Sequence, residues 1–277
     1  MNKEGNILIT GGSGFIGKYI LKDLKKKKIK IYASYFKNKL KKNKYLKPIK
    51  IDLNQIKKKD IARYKIEKII HLAWQNLENY QDVSHEKQIL EKQKRFIELV
   101  VKNGCKNLII AGTCYEYGLI SGKISENTRC YPVCSYGSGK NSLRKYVLKL
   151  QKKFKFKLTW LRVFYIYGIN PNKNTLTSIL LKKSKIKTPI ILNKKIERDY
   201  IDINYVSKIF VKILQKNRNY GIVNLSSGKK VSLKRLVKFL SQKYNIKPLV
   251  KFKNTKQRPF EPEIFYGDNS KLNKIMS

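Results

Sequence analysis

The stretch Thr10-Gly11-Gly12-Ser13-Gly14-Phe15-Ile16-Gly17 decides how the first part of this chain folds. It follows an apolar segment, 6–10, that predicts a short buried strand, and it opens an amphipathic helical pattern. Glycines at every third position give the turn backbone freedom, leave room for a pyrophosphate and let the helix approach the sheet. The helix N-terminus then presents unpaired N–H groups and a positive dipole end to phosphates. The loop therefore predicts a dinucleotide site with contacts from Gly11, Gly14, Phe15, Ile16 and Gly17.

Short apolar segments alternate with amphipathic helical patterns along the first 168 residues. Strands are expected at 29–34, 48–52, 68–73, 107–112 and 158–164, and the clearest helices at 85–102 and 136–153. This alternation is typical of βαβ units, so we predict an α/β fold with a Rossmann-type doubly wound parallel sheet. Beyond residue 168 a stretch richer in loops follows, and the last predicted helix, 233–244, precedes a tail.

The domain organisation follows from the same alternation, because no repeat or flexible linker divides the chain. Residues 1–168 with about 198–227 are expected to form the dinucleotide-binding domain. Residues about 169–197 with 228–277 are expected to form a smaller C-terminal substrate-binding lobe. No apolar run reaches the ~20 residues of a membrane helix, and no signal peptide is recognisable, so a cytoplasmic protein without membrane insertion is expected.

The formal net charge of +45 is the most unusual property of the composition. A basic surface attracts polyanions, so nucleic acid, an anionic membrane or a phosphorylated substrate would each benefit. Compositional drift is the alternative, since lysine is abundant throughout. Lysine clusters such as 25–28 and 57–59 lack the interleaved aromatic residues that stack on bases. A small phosphorylated ligand is therefore favoured over a nucleic-acid partner.

The cysteines carry no metal-ligand spacing. Cys105, Cys114, Cys130 and Cys134 form no C-x-x-C pair, and the chain has only two histidines to assist them. We predict reduced thiols in a reducing compartment and no metal site.

The end of the second predicted strand bears on the choice of cofactor. An acid there binds the ribose hydroxyls of NAD, whereas its absence beside cations suits the additional phosphate of NADP. Residues 29–51 contain no Asp or Glu, while Ser34 and Lys37 are available as contacts. NADP(H) is therefore favoured, with NAD(H) as the alternative. Asp52 and Leu53, at the end of the third strand, are expected near the adenine; helix capping is the other interpretation of Asp52.

Tyr136 and Lys140 are four residues apart on a predicted helix, so their side chains share one face. A free tyrosine, with a pKa near 10, is a poor acid-base catalyst at neutral pH. We expect the Lys140 ammonium to lower the pKa of Tyr136. Thr113 follows the fifth predicted strand, at the sheet edge where α/β proteins place their chemistry. Its hydroxyl is expected to bind the carbonyl oxygen that Tyr136 protonates.

Several strings together resemble the extended short-chain dehydrogenase/reductases of the nucleotide-sugar epimerase/dehydratase group, over nearly the whole chain. They are the glycine loop, Ile51-Asp52-Leu53, His71-Leu72-Ala73, Thr113 ahead of Tyr117-Gly118, the Tyr136/Lys140 pair, Leu161-Arg162-Val163 and Arg198-Asp199-Tyr200-Ile201. The resemblance implies that Tyr136 donates the proton, that Lys140 tunes it and holds the nicotinamide ribose, and that Thr113 fixes the carbonyl. It also implies cofactor contacts from Leu72, Ala73 and Phe164.

The resemblance implies a substrate site as well, with contacts from Thr113 and Tyr115. Arg198 and Arg258 match arginines that bind the diphosphate of a nucleotide sugar in this family, where charge-assisted contacts are strong. Surface salt bridges are the other interpretation of these two arginines.

Within the family, the 4,6-dehydratases carry Asp-Glu directly after the threonine, whereas this chain has Cys114 and Tyr115. Dehydratase activity is therefore disfavoured. The strings at 71–74, 112–118 and 164–168 look most like dTDP-6-deoxy-L-talose 4-dehydrogenases and dTDP-4-dehydro-6-deoxyglucose reductases. The implied activity is NAD(P)-dependent reduction or oxidation at C4 of a dTDP-linked 4-keto-6-deoxysugar, in deoxysugar biosynthesis for cell-surface polysaccharide.

Two other functions stay open at this point. One is an NAD-dependent nucleotide-sugar 4-epimerase, which oxidises and re-reduces its substrate without net use of cofactor. The other is a non-catalytic nucleic-acid-binding relative of the fold, invited by the charge and disfavoured because the Tyr136/Lys140 pair is retained. A homodimer is also left open.

Overall fold

The computed structural model describes residues 6–35, 39–53, 56–169, 175–256 and 258–277. Its strands are β1 (Asn6–Thr10), β2 (Ile31–Tyr35), β3 (Leu46–Lys50), β4 (Ile66–His71), β5 (Asn107–Thr113), β6 (Gly122–Ile124), β7 (Lys157–Val163), β8 (Tyr165–Tyr167), β9 (Ile190–Asn193), β10 (Glu197–Arg198), β11 (Tyr200–Asp202), β12 (Gly221–Leu225), β13 (Val231–Ser232), β14 (Val250–Lys253) and β15 (Ile264–Gly267). Its α-helices are α1 (Phe15–Lys26), α2 (Lys58–Ala62), α3 (Gln88–Lys102), α4 (Ser135–Phe154), α5 (Leu176–Lys185), α6 (Ile203–Lys216), α7 (Leu233–Tyr244) and α8 (Ser270–Met276).

Seven strands form one parallel sheet in the order β12-β7-β5-β4-β1-β2-β3. β1 lies between β2 and β4, so the winding of the chain reverses direction beside the glycine loop. A reversal of this kind opens a crevice at the carboxyl ends of the strands, where α/β sheets bind their ligands. The predicted doubly wound parallel sheet is confirmed.

Helices cover both faces of this sheet, which explains why its central strands β1 and β5 are mainly apolar and buried. Along β5, Ile109 and Ala111 face the core that α1, α6 and α8 complete. Leu108 and Ile110 point to the opposite face, where α3 and α4 pack. A strand with side chains of alternating direction and two covered faces leaves no position for a polar stripe.

The later part of the chain adds smaller sheets at the carboxyl edge of the large one. One has the order β13-β10-β15-β6, and the pairs β14-β9 and β11-β8 complete the set. A separate apolar cluster joins α5, α7 and β9 through Leu180, Ile190, Leu236, Val237 and Leu240. The small lobe thus has its own core, while the boundaries proposed for the two parts stay a prediction.

Several elements, among them α5, β9 and α8, lie where the sequence predicts only loops or a tail. α5 and β9 occupy the stretch after residue 168, and α8 follows the helix that was predicted to be the last. α8 is short, and its buried apolar residues are Leu272 and Ile275, three apart, which is too little for a recognisable helical period. Its apolar face nevertheless packs into the core of the large sheet.

Three further observations concern features of the described ranges. No helix there is long and apolar enough to cross a membrane. In the same part of the chain, no group of three or more His, Cys, Asp or Glu side chains stands together as a metal site would require. The four cysteines are free thiols, three of them buried.

Candidate active site

A cleft of about 940 Å³ runs from the glycine loop to the small lobe. Every predicted site residue lines it except Lys37, which lies outside the described residues. Those residues are Gly11, Gly14, Phe15, Ile16, Gly17, Ser34, Asp52, Leu53, Leu72, Ala73, Thr113, Tyr115, Tyr136, Lys140, Phe164, Arg198 and Arg258. The volume is at the upper end of the range for small-molecule sites. The structure therefore brings together side chains that are up to 247 positions apart in the sequence (258 − 11).

The glycine loop leaves no room for side chains. Gly11 has φ +69°, and a Cβ there would lie 2.9 Å from the Ala73 backbone nitrogen. A Cβ at Gly17 would lie 2.4 Å from the Gly11 carbonyl oxygen. Gly14 caps α1 without a side chain, so no side-chain oxygen occupies the helix N-terminus. This backbone cradle, open at a helix N-terminus, fits the pyrophosphate of a dinucleotide.

Residues of β2 and the segment after β3 line the part of the cleft where the sequence predicts the adenosine. Ser34 and Tyr35 close β2, and the Gly12 N–H donates to the Ser34 carbonyl oxygen at 3.3 Å. β2 carries no carboxylate at this end. Asp52 and Leu53 also line the cleft here. Ser34, Asp52 and Leu53 therefore line the same cleft as the glycine loop.

A chain of buried polar groups connects the glycine loop with α3. The Thr10 hydroxyl lies 2.7 Å from His71 Nδ1, and His71 Nε2 lies 2.6 Å from Gln93 Oε1. The Gln93 amide donates to the Ala73 carbonyl oxygen at 3.1 Å. Thr10 Oγ1 also accepts from the backbone N–H groups of Leu72 and Ala73. This network holds the segment 71–73 against the glycine loop.

The bonding pattern determines the protonation of His71. Thr10 Oγ1 already accepts two N–H groups, so its own proton goes to His71 Nδ1, and Nε2–H donates to Gln93. The imidazole is therefore neutral. Burial lowers the pKa of His71 to about 3, and the nearby Lys140 charge acts in the same direction. The sequence showed His71 as part of a motif without indicating this role.

The depressed pKa of His71 predicts acid sensitivity of the fold. The unfolded chain takes up a proton below pH ~6.5, whereas the folded chain does so only near pH 3. Stability is therefore full above pH ~6.5 and falls with decreasing pH, by at most ~1.4 kcal/mol per unit. Urea unfolding between pH 6.5 and 4.5 measures this slope. His71→Asn, which cannot titrate, is expected to show a smaller slope; equal slopes would contradict the assignment.

Thr113 is held by a capping box at the end of β5. Its hydroxyl accepts from the Tyr115 N–H at 3.3 Å, and its own N–H donates to Glu116 Oε1 at 2.9 Å. The spacing Thr-x-x-Glu is the sequence signature of this box, so Glu116 could have been recognised from the sequence. The box fixes the direction in which Thr113 and Tyr115 face the cleft.

Glu116 is fully buried and has partners on all sides. Besides Thr113, it accepts from Trp160 Nε1 at 2.9 Å and from Arg162 Nε at 3.1 Å. Arg144 Nε of α4 lies 3.2 Å from Glu116 Oε2, the oxygen that Arg162 also contacts. A buried carboxylate is tolerated when it is paired and hydrogen-bonded in this way. The cluster forms a polar base under the carboxyl end of β5.

Tyr136 and Lys140 emerge from the first turns of α4 into the cleft. The Thr113 side chain lies close enough to the Tyr136 hydroxyl to lower its pKa through a hydrogen bond. Lys140 Nζ donates to the Ala111 carbonyl oxygen at 2.8 Å and lies 6.0 Å from the centre of the Tyr136 ring. The three residues predicted to be catalytic are therefore neighbours.

The electrostatics of the pair differ from the expectation. Burial raises the pKa of Tyr136 well above its ordinary value, with the Tyr80 phenol acting in the same direction. Burial also lowers the pKa of Lys140 to about 7, opposed by the Glu116 carboxylate. The net direction is opposite to the expected lowering, because burial of the phenol is the largest influence on its pKa. Tyr136 is thus held as a protonated phenol, the form that can donate a proton.

Aromatic rings that the sequence did not single out surround Tyr136. Tyr80 stacks on it with ring centres 5.0 Å apart, and the Tyr136 N–H donates to the Tyr80 carbonyl oxygen at 2.9 Å. Phe260 of the small lobe contacts both Tyr80 and Tyr115. No local pattern marks these residues, because they come from loops distant in the sequence. They make an apolar wall beside the Tyr136 phenol.

Arg198 places a buried guanidinium at the far end of the cleft. The side chain is 1% exposed, and Nη1 donates to the carbonyl oxygens of Glu197 and Glu263. Nε and Nη2 have no partner of hydrogen-bond geometry among the described residues, and Nη2 lies 3.7 Å from Glu261. Unsatisfied donors of a buried cation facing a cleft fit an anionic ligand.

Arg258 and Tyr115 reach the same carboxylate from other sides. Arg258 Nη1 lies 3.4 Å from Glu261 Oε1 and is largely exposed, and the Tyr115 hydroxyl donates to that oxygen at 2.6 Å. Glu261 therefore stands between the two predicted substrate arginines, a residue that the sequence analysis did not include.

Asp199 anchors the strand that carries Arg198. Its carboxylate accepts from the backbone N–H groups of Ser227 at 2.7 Å, Gly228 at 2.9 Å and Gly267 at 3.2 Å. Burial raises the pKa of Asp199, although these donors favour its charged form. The residue ties the segment that carries Arg198 to the turn at 227–228 and to the end of β15, and has a structural role.

Comparison with known proteins identifies the family. Residues 7–226 match the NAD dependent epimerase/dehydratase family. The chain belongs to this family. The matched residues contain the glycine loop and, apart from Asn6, all seven strands of the large sheet.

Two characterised relatives within the epimerase/dehydratase family match over nearly their whole length. A dTDP-6-deoxy-L-talose 4-dehydrogenase (NAD(+)) of Aggregatibacter actinomycetemcomitans is 32% identical over 95% of this chain and 99% of its own. A dTDP-4-dehydro-6-deoxyglucose reductase of Escherichia coli is 28% identical over 91% of this chain and 86% of its own. Among solved structures, a UDP-N-acetylglucosamine 4-epimerase from Methanobrevibacter ruminantium shares the fold, with a TM-score of 0.86 over 99% of this chain and 93% of that chain at 21% identity.

Proposed function

We propose that this protein reduces a dTDP-linked 4-keto-6-deoxysugar at C4, or carries out the reverse oxidation, with a nicotinamide dinucleotide. The observation that carries the proposal is that the Tyr136 phenol, beside Thr113, lines the same cleft as the glycine cradle and Arg198. A dinucleotide on the cradle and a nucleotide diphosphate at Arg198 would bring the nicotinamide and the sugar together at this phenol. The names of the two relatives support C4 and the dTDP-linked deoxysugar.

Each of the residues Tyr136, Thr113 and Lys140 has a separate role in the proposed reaction. When bound, the reduced nicotinamide supplies the hydride that forms the new C–H bond at the sugar C4. Tyr136 donates its proton to the carbonyl oxygen, so that a hydroxyl results, and Thr113 orients that oxygen by a hydrogen bond. Lys140 would hold the nicotinamide ribose and supplies positive charge beside the phenolate that is left. The apolar wall around Tyr136 excludes water from the reacting carbon.

NADP(H) is the proposed preferred cofactor, because no carboxylate at the end of β2 repels an additional phosphate. The name of the talose dehydrogenase relative favours NAD instead. Ser34→Asp places a carboxylate at the end of β2, and we expect it to shift the ratio of kcat/KM for NADPH over NADH about tenfold toward NADH by like-charge repulsion. Ser34→Ala is the matched control. Equal ratios in the wild type and Ser34→Asp would contradict this placement of the 2′-phosphate.

One experiment tests the reaction directly. The protein is mixed with dTDP-4-dehydro-6-deoxyglucose and NADPH or NADH, cofactor absorbance is followed, and the sugar product is identified by NMR. One reduced cofactor consumed per product formed supports the reductase. A 4-epimerase would interconvert C4 epimers of a nucleotide sugar with no net consumption of cofactor. Absence of both activities would reject the proposal.

Three further parts of the proposal have simple tests. A homodimer is tested by sedimentation at several protein concentrations. The division into a dinucleotide domain and a substrate lobe is tested by the effect of each ligand on hydrogen exchange in the two parts. A cytoplasmic location, which fits the free thiols, is tested by cell fractionation.

A further inference from the structure

Trp74, which the proposed mechanism leaves unused, lies directly against the catalytic lysine. Lys140 Nζ is 4.0 Å from the centre of the Trp74 ring. Cation–π contacts extend to ~6 Å and are strongest for tryptophan, and they gain strength when the cation is shielded from water. Lys140 is 2% exposed. Its ammonium therefore has one N–H on the Ala111 carbonyl oxygen and the indole face beside it.

Hydrogen bonds to a neighbouring loop hold the Trp74 indole in place. Trp74 Nε1 donates to His85 Nδ1 at 3.0 Å, and His85 Nε2 bonds to the Asn79 carbonyl oxygen at 2.9 Å. Since Nδ1 accepts, Nε2 carries the proton and the imidazole is neutral. The two rings are nearly parallel, at 22°. These bonds fix the plane of the indole independently of Lys140.

Helix α4 is shaped to receive this segment. A Cβ at Gly139 would lie 2.2 Å from the His85 carbonyl oxygen and 3.5 Å from Trp74 Cζ2. Only a glycine at this point of the helix lets the loop that carries Trp74 approach so closely. The indole also meets Tyr136 edge-on, with ring centres 6.0 Å apart at 74°. One side chain thus contacts both members of the Tyr136/Lys140 pair.

We propose that Trp74 is a positioning residue that orients the Lys140 ammonium and favours its charged form over the neutral amine. The consequence for turnover rests on the proposed function, whereas the contact itself does not. Other titratable groups also face Lys140 or its surroundings: Tyr136 on α4, Glu116 after β5, His71 on β4 and, behind the indole, His85. Among them, Glu116 favours the ammonium and burial opposes it. Trp74 acts with Glu116.

The pH profile of kcat/KM is the first test. Trp74→Leu keeps apolar bulk but removes the π face, so we expect the loss of activity at high pH to begin about one unit lower. At pH values above the start of this decline, kcat/KM of Trp74→Leu should then be about tenfold below that of the wild type. Trp74→Phe keeps a weaker π face, so the pH at which activity declines should shift less. Tyr131→Leu is the matched control, because it removes an exposed ring, outside the cleft, over which Arg129 lies at 4.8 Å.

Tryptophan fluorescence is the second test and needs no turnover. The chain has two tryptophans, and Trp160 is buried against Glu116. We expect the wild-type emission to change with pH as Lys140 titrates, and this change to disappear in Lys140→Met and in Trp74→Phe. If Trp74→Leu does not fold, Trp74→Phe and the pH dependence of the emission test the proposal instead. The proposal would be overturned if the emission still changed with pH in Lys140→Met. It would also be overturned if both Trp74 variants kept the wild-type pH dependence of kcat/KM. Failure of the reductase assay alone would leave the emission result standing.

Discussion

Replacing Tyr136 with phenylalanine is expected to lower kcat/KM for the 4-keto sugar about 10³-fold. The substitution removes the proton donor and keeps the ring that stacks on Tyr80 and meets Trp74. The fold and the dinucleotide site should therefore be preserved. Steady-state kinetics with the reduced cofactor measure the loss, and cofactor fluorescence on binding shows that the dinucleotide site is intact.

Tyr146→Phe is the matched control for that experiment. Tyr146 lies on the same helix, α4, and its hydroxyl donates to Glu98 at 2.7 Å, outside the cleft. Loss of that hydroxyl should leave turnover within about twofold of the wild type, as for a surface substitution. Turnover of Tyr136→Phe within tenfold of the wild type would mean that another group donates the proton.

The second large effect is expected from Arg198→Gln. We expect KM for the nucleotide sugar to rise about 10²-fold with a much smaller change in kcat, because removal of a buried charge partner weakens binding of the substrate and of the transition state alike. Glutamine retains an amide that can still donate to the carbonyl oxygens of Glu197 and Glu263. The melting temperature of the variant checks that the small lobe stays folded.

The net charge of +45 makes a control for general attraction necessary. Lys229→Gln also removes one positive charge, from an exposed position outside the cleft. Its effect on KM should be less than about twofold and should vanish at high salt, because exposed charges are screened. The effect of Arg198→Gln should persist in salt. Equal effects in the two variants would show that diffuse charge, and not a diphosphate site, binds the substrate.

The large sheet could be predicted because its signals are local. Each βα unit has its own apolar strand, its own helical period and its own turn. The glycine loop marks the turn between the strand and the helix of the first unit. The end of the chain could not be predicted in this way. α8 has only Leu272 and Ile275 on its buried face, so its helical state depends on the core that it joins.

The Thr113, Tyr136 and Lys140 trio could be proposed from the sequence because its spacing follows from the helix and from the strand edge. The electrostatics of the trio could not be predicted, because the pKa of Tyr136 depends on its burial. Burial cannot be inferred from the residues next to Tyr136 in the sequence. Glu116 lies between these cases. Its capping box is local and readable, whereas its ion pairs with Arg144 and Arg162 require two other elements to meet beneath β5.

The sequence by itself therefore determined the parallel sheet, the dinucleotide cradle and the Thr113, Tyr136 and Lys140 set, because each depends on residues close together along the chain. Only the tertiary structure showed that Trp74 lies over Lys140, that Tyr80 stacks on Tyr136 and that Glu261 stands between Arg198 and Arg258. Those contacts join loops to α4 and β10, which are distant from them in sequence. The physical reason is that side chains in loops acquire partners and burial only after the sheet and the small lobe have brought those loops to one edge.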